Sequence, residues 1–278
     1  MHYIEFPKLN IHLNIDPVAI NIGNIDVHWY GIIISFAVFL GFFLAIRKIN
    51  SFGYSEDDVT NIITIAIPSA VIGARIYYVA FNFDAFSDDL LSIFNIRTGG
   101  LAIYGAIIGA FISVYCYCKI KKYKFLNIVD VLIPYLALGQ AIGRWGNFTN
   151  QEAFGINTNL PWGMTGDIIN QEISYLSASG VSISQGIPVH PTFLYEFVVN
   201  LTIFFILLKV RKNKKFDGNV LYVYLTLYGI ARFFIEGLRI DSLMFLGFRV
   251  SQILSLVIVL LCLGLYAITN KKRNIEQI

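Results

Sequence analysis

Val27-His-Trp-Tyr-Gly-Ile-Ile-Ile-Ser-Phe-Ala-Val-Phe-Leu-Gly-Phe-Phe-Leu-Ala-Ile46 is an uncharged run that stops at Arg47-Lys48. A helix needs about 20 mostly apolar residues to cross a bilayer, and a run of this length flanked by basic residues reads as a membrane span. Two more uncharged runs reach that length, Thr98–Cys118 and Val250–Asn270. Four others qualify if one or two charges are admitted: Val59–Phe83 with Arg75, Phe125–Gly143 with Asp130, Pro191–Leu208 with Glu196, and Gly218–Leu238 with Arg232 and Glu236. The expectation is an all-α polytopic membrane protein with seven transmembrane helices, one integral membrane domain over residues 1–278.

Composition agrees. Of the 278 residues, 56% are hydrophobic and 14% charged, against about 25% charged in soluble domains. A net charge of +3 is too small to point to a nucleic acid, and none is expected as a partner. Cys116, Cys118 and Cys262 lie in apolar runs, without redox or zinc spacing, and read as small hydrophobes. The first 26 residues carry Glu5, Asp16 and Asp26 and no long apolar core, so a cleaved signal peptide is not expected. No His/Asp/Glu group has ligand spacing, so neither metal nor cofactor is expected.

The basic residues set an orientation. Arg47 and Lys48, Lys119–Lys124, Lys209–Lys215 and Lys271–Arg273 hold fourteen of the 21 lysines and arginines, all on one face if seven spans alternate. The positive-inside rule makes that face cytoplasmic, with the N-terminus outside and the C-terminus inside. The remaining seven are Lys8, Arg75, Arg97, Arg144, Arg232, Arg239 and Arg249. They fall on the outer side or within spans, and six are arginine, whose planar fork suits phosphate and carboxylate. An anion handled at the outer leaflet follows. The longest outer loop, residues 144–190, reads as a small extracytoplasmic subdomain between spans four and five; Asp84–Arg97 is shorter.

Six polar groups converge on that leaflet from separate spans. Gly143-Arg-Trp-Gly-Asn-Phe-Thr-Asn-Gln-Glu-Ala-Phe-Gly155 follows an apolar helix expected to end at Gly143. Arg144 there would bind an anion, the asparagine amides would orient it, and Glu152 would hold the arginine; a plain interfacial loop with a snorkelling Arg144 is the alternative. In Tyr228-Gly-Ile-Ala-Arg232-Phe-Phe-Ile-Glu236-Gly-Leu-Arg239, the spacing places the polar residues on one helical face. Two arginines to one carboxylate leave surplus positive charge. Arg75 sits among small residues near the outer end of span two. Gly99-Gly100 opens span three, as an anion site of free N–H groups, ahead of Tyr104 and a Gly105/Gly109 packing pair. His190-Pro191, with Tyr195 and Glu196, enters span five, and His28-Trp29-Tyr30-Gly31 opens span one.

Together these blocks resemble the prolipoprotein diacylglyceryl transferase family. Gly143–Gly155 matches its Gly-Arg-x-Gly-Asn-Phe-x-Asn-x-Glu-x-x-Gly signature at every fixed position. The blocks at His28–Gly31, Gly73–Arg75, Gly99-Gly100, His190–Glu196 and Tyr228–Glu236 follow in the family's order, covering about residues 18–267. The resemblance implies transfer of the diacylglyceryl group from phosphatidylglycerol to the lipobox cysteine thiol of a preprolipoprotein, with release of glycerol phosphate. It also implies a seven-span fold, with the site at the extracytoplasmic leaflet of a bacterial cell membrane. The expected partners are phosphatidylglycerol, preprolipoprotein signal peptides and membrane lipid.

On that reading Arg144 and Arg232 grip the phosphate while Glu152 and Glu236 orient them. Tyr30, Asn147, Gly155, Arg75, Arg239 and His190 bind substrate. Many relatives carry histidine after the Gly-Gly pair, where this chain has Tyr104. A phenol with a pKa of about 10 is a poor base at neutral pH, so binding is the expected role of Tyr104. A lipid or anion transporter would also use intramembrane Arg and Glu, but no repeat symmetry appears in the sequence.

Overall fold

The computed structural model describes residues 2–23, 25–87, 89–96 and 99–276, the last five without their side chains. Arg97 and Thr98, the expected loop arginine and first residue of span three, lie outside the described residues, as do the side chains of Lys272 and Arg273.

The chain opens with two β-hairpins. Strands β1 (His2–Phe6) and β2 (Ile11–Ile15) pair antiparallel, as do β3 (Val18–Ile22) and β4 (Ile25–His28). Helices α1 (Trp29–Ile49), α2 (Glu56–Phe81), α3 (Ile103–Ile120) and α4 (Phe125–Asn150) follow. A two-residue strand β5 (Thr165–Gly166) leads into the short α5 (Asp167–Ala178), and α6 (Thr192–Lys212) and α7 (Asn219–Leu238) come next. The small hairpin of β6 (Met244–Phe245) and β7 (Phe248–Arg249) leads to α8 (Val250–Glu276). Among the described residues, seven helices are long and apolar enough to cross a membrane: α1–α4 and α6–α8. Their large apolar side chains stay exposed, Phe39 at 65%, Ile76 at 64% and Phe234 at 69%; surface of this kind is at home in hydrocarbon rather than in water.

Two compact units make up the chain, residues 42–132 and residues 1–41 with 133–278. In the first unit α2 and α3 pack backbone against backbone. A Cβ on Gly73 would strike the Gly105 carbonyl, and one on Gly109 would strike that of Ser69. The expected packing role of Gly105 and Gly109 is thus met, with Gly73 and Ser69 as the facing surface. Ser55 caps α2 reciprocally with Asp58. The Asp58 carboxylate, buried, also accepts from the hydroxyls of Tyr117 (2.7 Å) and Tyr123 (3.2 Å).

In the second unit a small core joins the chain's first strand to the segment after α4. Ile4, Phe148, Phe154, Met164, Ile169, Ile173 and Val189 are buried together, with Phe6 and Ile15 against them. β1 lies between β2 and β5. Gln151 fastens the arrangement, donating to the Tyr3 carbonyl (3.1 Å) and accepting from the Ile168 N–H (3.1 Å). The segment 144–190 therefore shares its core with the N-terminal hairpin.

α4 departs from the expected boundary. The helix continues past Gly143 to Asn150, carrying Arg144, Trp145, Asn147 and Phe148 as helical residues. Apolar partners explain it. Trp145 meets Phe193 and Phe197 edge-on at 5.6 and 5.4 Å, and buried Phe148 packs on Phe193 at 4.8 Å, so this last stretch has its own apolar face. The polar residues occupy another.

Candidate active site

Three arginines from three parts of the second unit meet on one carboxylate. Glu196, in the first turns of α6 and 3% exposed, receives Arg144 Nη2 from α4 at 2.8 Å and Arg232 Nη1 from α7 at 3.1 Å. Arg239 Nη1, just past the end of α7, lies 3.5 Å from the same carboxylate. Arg232 Nη2 also meets Glu236 at 2.5 Å, one helical turn along α7. Arg239 forks onto Asp241 through Nε (2.9 Å) and Nη2 (2.5 Å), and Arg249 donates to the Glu236 carbonyl.

Glu152 does not touch Arg144. It accepts from the Asn147 amide at 2.8 Å, and the Asn147 carbonyl oxygen accepts from Arg144 Nη1 at 3.0 Å. The asparagine is the intermediary, and carboxylate, amide and guanidinium form one ordered chain. The expected surplus of positive charge is also absent from the contacts: Arg144, Arg232 and Arg239 face Glu196, Glu236 and Asp241. Arg239 is not on the helical face assumed for it. Its backbone is extended (φ −76°, ψ 148°), and Asp241 rather than Glu236 is its fork partner. Burial works against its charge, but the Asp241 hydrogen bonds and the fields of Asp241, Glu196 and Glu236 outweigh burial and raise its pKa further.

The signature glycines serve close approach. Neither Gly143, Gly146 nor Gly155 has positive φ; that conformation falls to Gln151 and Ala153 in the turn after α4. A Cβ on Gly146 would lie 2.6 Å from the Tyr30 ring of α1, so this glycine seats the tyrosine against the arginine helix. At Gly155 a Cβ would meet the His190 Cβ and the Leu238 carbonyl, both at 2.9 Å. The Gly155 N–H donates to the His190 carbonyl (2.9 Å), and the residue bridges to Arg239. Gly155 thereby holds the backbones of His190 and Arg239 in register.

A second chain of hydrogen bonds runs through His190. The Trp162 indole, which can only donate, gives its N–H to the Tyr195 hydroxyl at 2.8 Å. The Tyr195 oxygen lies 3.0 Å from His190 Nδ1, and with Trp162 on one of its lone pairs the hydroxyl can donate to Nδ1, the pairing in which the ring proton sits on Nε2. Burial lowers the His190 pKa and keeps the ring neutral.

Arg75 and Tyr104 belong to the other unit. Arg75 is 7% exposed, and its guanidinium donates to the carbonyls of Ser92, Ile93, Asn95, Gly99 and Gly100 at 2.7–3.1 Å. A guanidinium has five N–H groups, so this arginine, expected to bind substrate, has its donors on backbone carbonyls. The glycine pair is likewise not a helix-start anion site: Gly99 and Gly100 have φ of 86° and 75°, turn their carbonyls to Arg75, and precede α3. The Tyr104 ring, half-buried in the first turn of α3, lies 6.3 Å from that of Tyr77. His28 is exposed at the end of β4.

The residue undervalued by sequence reasoning is Glu196. It stands out as the charge within span five, but only the fold brings Arg144 and Arg232 to it.

The family described as prolipoprotein diacylglyceryl transferase matches residues 17–268. Proteins named phosphatidylglycerol–prolipoprotein diacylglyceryl transferase are similar over most of the chain. That of Clostridioides difficile (strain 630) is 46% identical over 264 residues, 94% of this chain and 99% of the relative. That of Finegoldia magna is 48% identical over 246 residues, 88% and 92% of the two chains, and that of Listeria innocua 42% over 264, 94% and 92%. On this sequence and these seven spans, the chain belongs to the prolipoprotein diacylglyceryl transferase family, a family of multi-pass bacterial membrane proteins.

Proposed function

We propose that Glu196 and the arginines gathered on it are the centre at which this transferase cleaves its lipid. The protein transfers the diacylglyceryl group of phosphatidylglycerol to a prolipoprotein. The acceptor is the lipobox cysteine in the signal-peptide region of the prolipoprotein. Its sulfur attacks the glyceryl carbon next to the phosphate, a C–S bond forms, the C–O bond to phosphate breaks, and glycerol phosphate leaves. The sulfur is itself the nucleophile, so none is needed from the enzyme, and the thiol proton departs with the leaving phosphate.

The phosphate begins as a diester with one negative charge and leaves as a monoester with a second developing. Groups that meet this growing charge stabilise the transition state more than the bound lipid, and only that difference accelerates the step. Arg144 and Arg232 suit the task. Contacts to Glu196 and Asn147 use two of the five N–H groups of Arg144, and the rest stay available. Their carboxylate partners neutralise the resting cluster and fix its geometry, so the forks are in place before lipid arrives. Glu152 acts through Asn147, Glu236 orients Arg232, and Arg239 closes the cluster.

Tyr30, seated on Gly146, forms a wall for the lipid, and His190 offers its Nε2–H to substrate oxygen. Arg75 contributes indirectly by holding the backbone at Ser92, Ile93, Asn95, Gly99 and Gly100, and Tyr104 binds without taking a proton. The charge pattern supports a site on the extracytoplasmic side, with residues 144–190 and the N-terminus outside and the C-terminus in the cytoplasm. The observation that carries this reading is the convergence of Arg144, Arg232 and Arg239 on buried Glu196. Purified protein given phosphatidylglycerol and a lipobox peptide should add one diacylglyceryl unit to the peptide, read by mass; Arg144→Ala should abolish the gain while the protein still inserts. Full transfer by that variant would remove Arg144 from the mechanism.

A further inference from the structure

Beneath the arginine cluster, between α6 and α7, lies a small space. Its volume is about 10 Å³, and Glu196, Asn200, Tyr228 and Arg232 line it with the apolar Val199 and Ile235. Asn200 is one turn along α6 from Glu196 and 2% exposed. Its side-chain oxygen is buried without a hydrogen-bond partner from the protein. An orphaned amide oxygen is costly in a protein interior, and deep in a span no bulk water relieves it.

The dimensions fit one occupant. A cavity of about 10–15 Å³ on this measure accepts a single water, provided two to four polar groups surround it. We propose that this cavity holds one ordered water that donates to Asn200 Oδ1 and accepts from the Arg232 guanidinium, making Asn200 a positioning residue for that arginine. Arg232 has its two terminal nitrogens on Glu196 and Glu236. The two carboxylates each hold one terminal nitrogen, Glu196 from α6 and Glu236 from α7 itself. A third polar contact from beneath fixes the plane of the guanidinium, and the plane decides where its remaining N–H groups point. No charge is added by the water, so the neutral balance of the cluster is kept.

The inference rests on the transferase reading for its kinetic readout only. The direct test is a density map of the wild-type protein in lipid nanodiscs, at a resolution that shows ordered waters. Density within hydrogen-bond distance of both the Asn200 amide and the Arg232 guanidinium supports the proposal, and a dry cavity overturns it, whatever the activity. In the transfer assay, Asn200→Leu should lower kcat about tenfold with KM for phosphatidylglycerol within about twofold and no fall in Tm, the pattern of an effect confined to the transition state. Asn200→Ser keeps an acceptor beside the water and should return kcat to within about threefold of wild type. Should the leucine variant not insert, Asn200→Ala removes the acceptor and carries the same expectation. Wild-type kcat in the Leu or Ala variant, or a loss equal in Ser and Leu, overturns the positioning role. Absence of transfer by the wild type would instead sink the transferase reading and leave the density to decide the water.

Discussion

Glu196 Oε2 and Arg144 Nη2 stand 2.8 Å apart, joining the start of the chain's most polar signature to an acidic side chain that is only 4% exposed. The same side chain also receives Arg232 and approaches Arg239. Removing it strands several positive charges around one buried point, which costs more than the loss of a surface pair. Breaking a buried ion pair destabilises by about 3–5 kcal/mol. Glu196→Ala should therefore lower Tm in detergent and reduce transfer at least about a hundredfold. Glu196→Gln keeps the shape without the charge and should recover much of the Tm but little of the rate. Equal rates in Gln and wild type would show that the carboxylate charge is irrelevant.

Gly146 sits where a methyl group would enter the Tyr30 ring. Overpacking of this kind costs about 1–3 kcal/mol. Gly146→Ala should lower Tm by a few degrees and weaken lipid binding as the tyrosine is displaced. Pairing it with Tyr30→Leu should restore Tm without restoring the binding, measured by titration with phosphatidylglycerol.

Burial favours the neutral form of His190, whose Nδ1 lies 3.0 Å from the Tyr195 hydroxyl. Its folded pKa lies below the unfolded value of about 6.5, so the unfolded chain takes up the proton first. This residue's contribution is unchanged above about pH 7 and turns unfavourable as pH falls through 6.5, levelling off below the folded pKa. His190→Gln should blunt that acid loss of Tm. Nitrogen NMR of labelled histidine should find the ring proton on Nε2 at pH 7; a proton on Nδ1 would contradict the chain from Trp162.

Arg75 gathers five backbone carbonyls from residues 92–100. Lysine, with three donors at one point, cannot span them. Arg75→Lys should raise protease cleavage within that segment severalfold, while Arg144→Lys should not. Unchanged cleavage in Arg75→Lys would separate the arginine from the order of the loop.

The spans were legible because hydrocarbon imposes one rule on every residue of a run, and α1–α4 and α6–α8 mostly obey it. The end of α4 was not. Gly143, Gly146 and the run of amides look like a loop until Trp145 and Phe148 find Phe193 and Phe197, partners that sequence does not announce. Glu196 was visible as a charge in an apolar run, whereas its partners lie far along the chain, Arg232 at a separation of 36 residues. The charge balance was misread for the same reason, because Arg239 turned to Asp241 and the first arginines shared a carboxylate from a third helix. Ile11-His-Leu-Asn-Ile15 alternates as a strand should, yet is short enough to pass unnoticed beside seven long helices.

Gln151 reaches back to Tyr3 across 148 residues, and Asp167 accepts from the Tyr3 N–H across 164. Contacts of such span give the protein a schedule. Strand β1 gains its β5 neighbour only after four helices have been made. During that interval β1 has one open edge, of the sort that recruits the wrong partner. Closure of the outer core is thus a late event in synthesis, and truncation anywhere before Gly166 leaves the first strand without its second partner even when the early helices are complete.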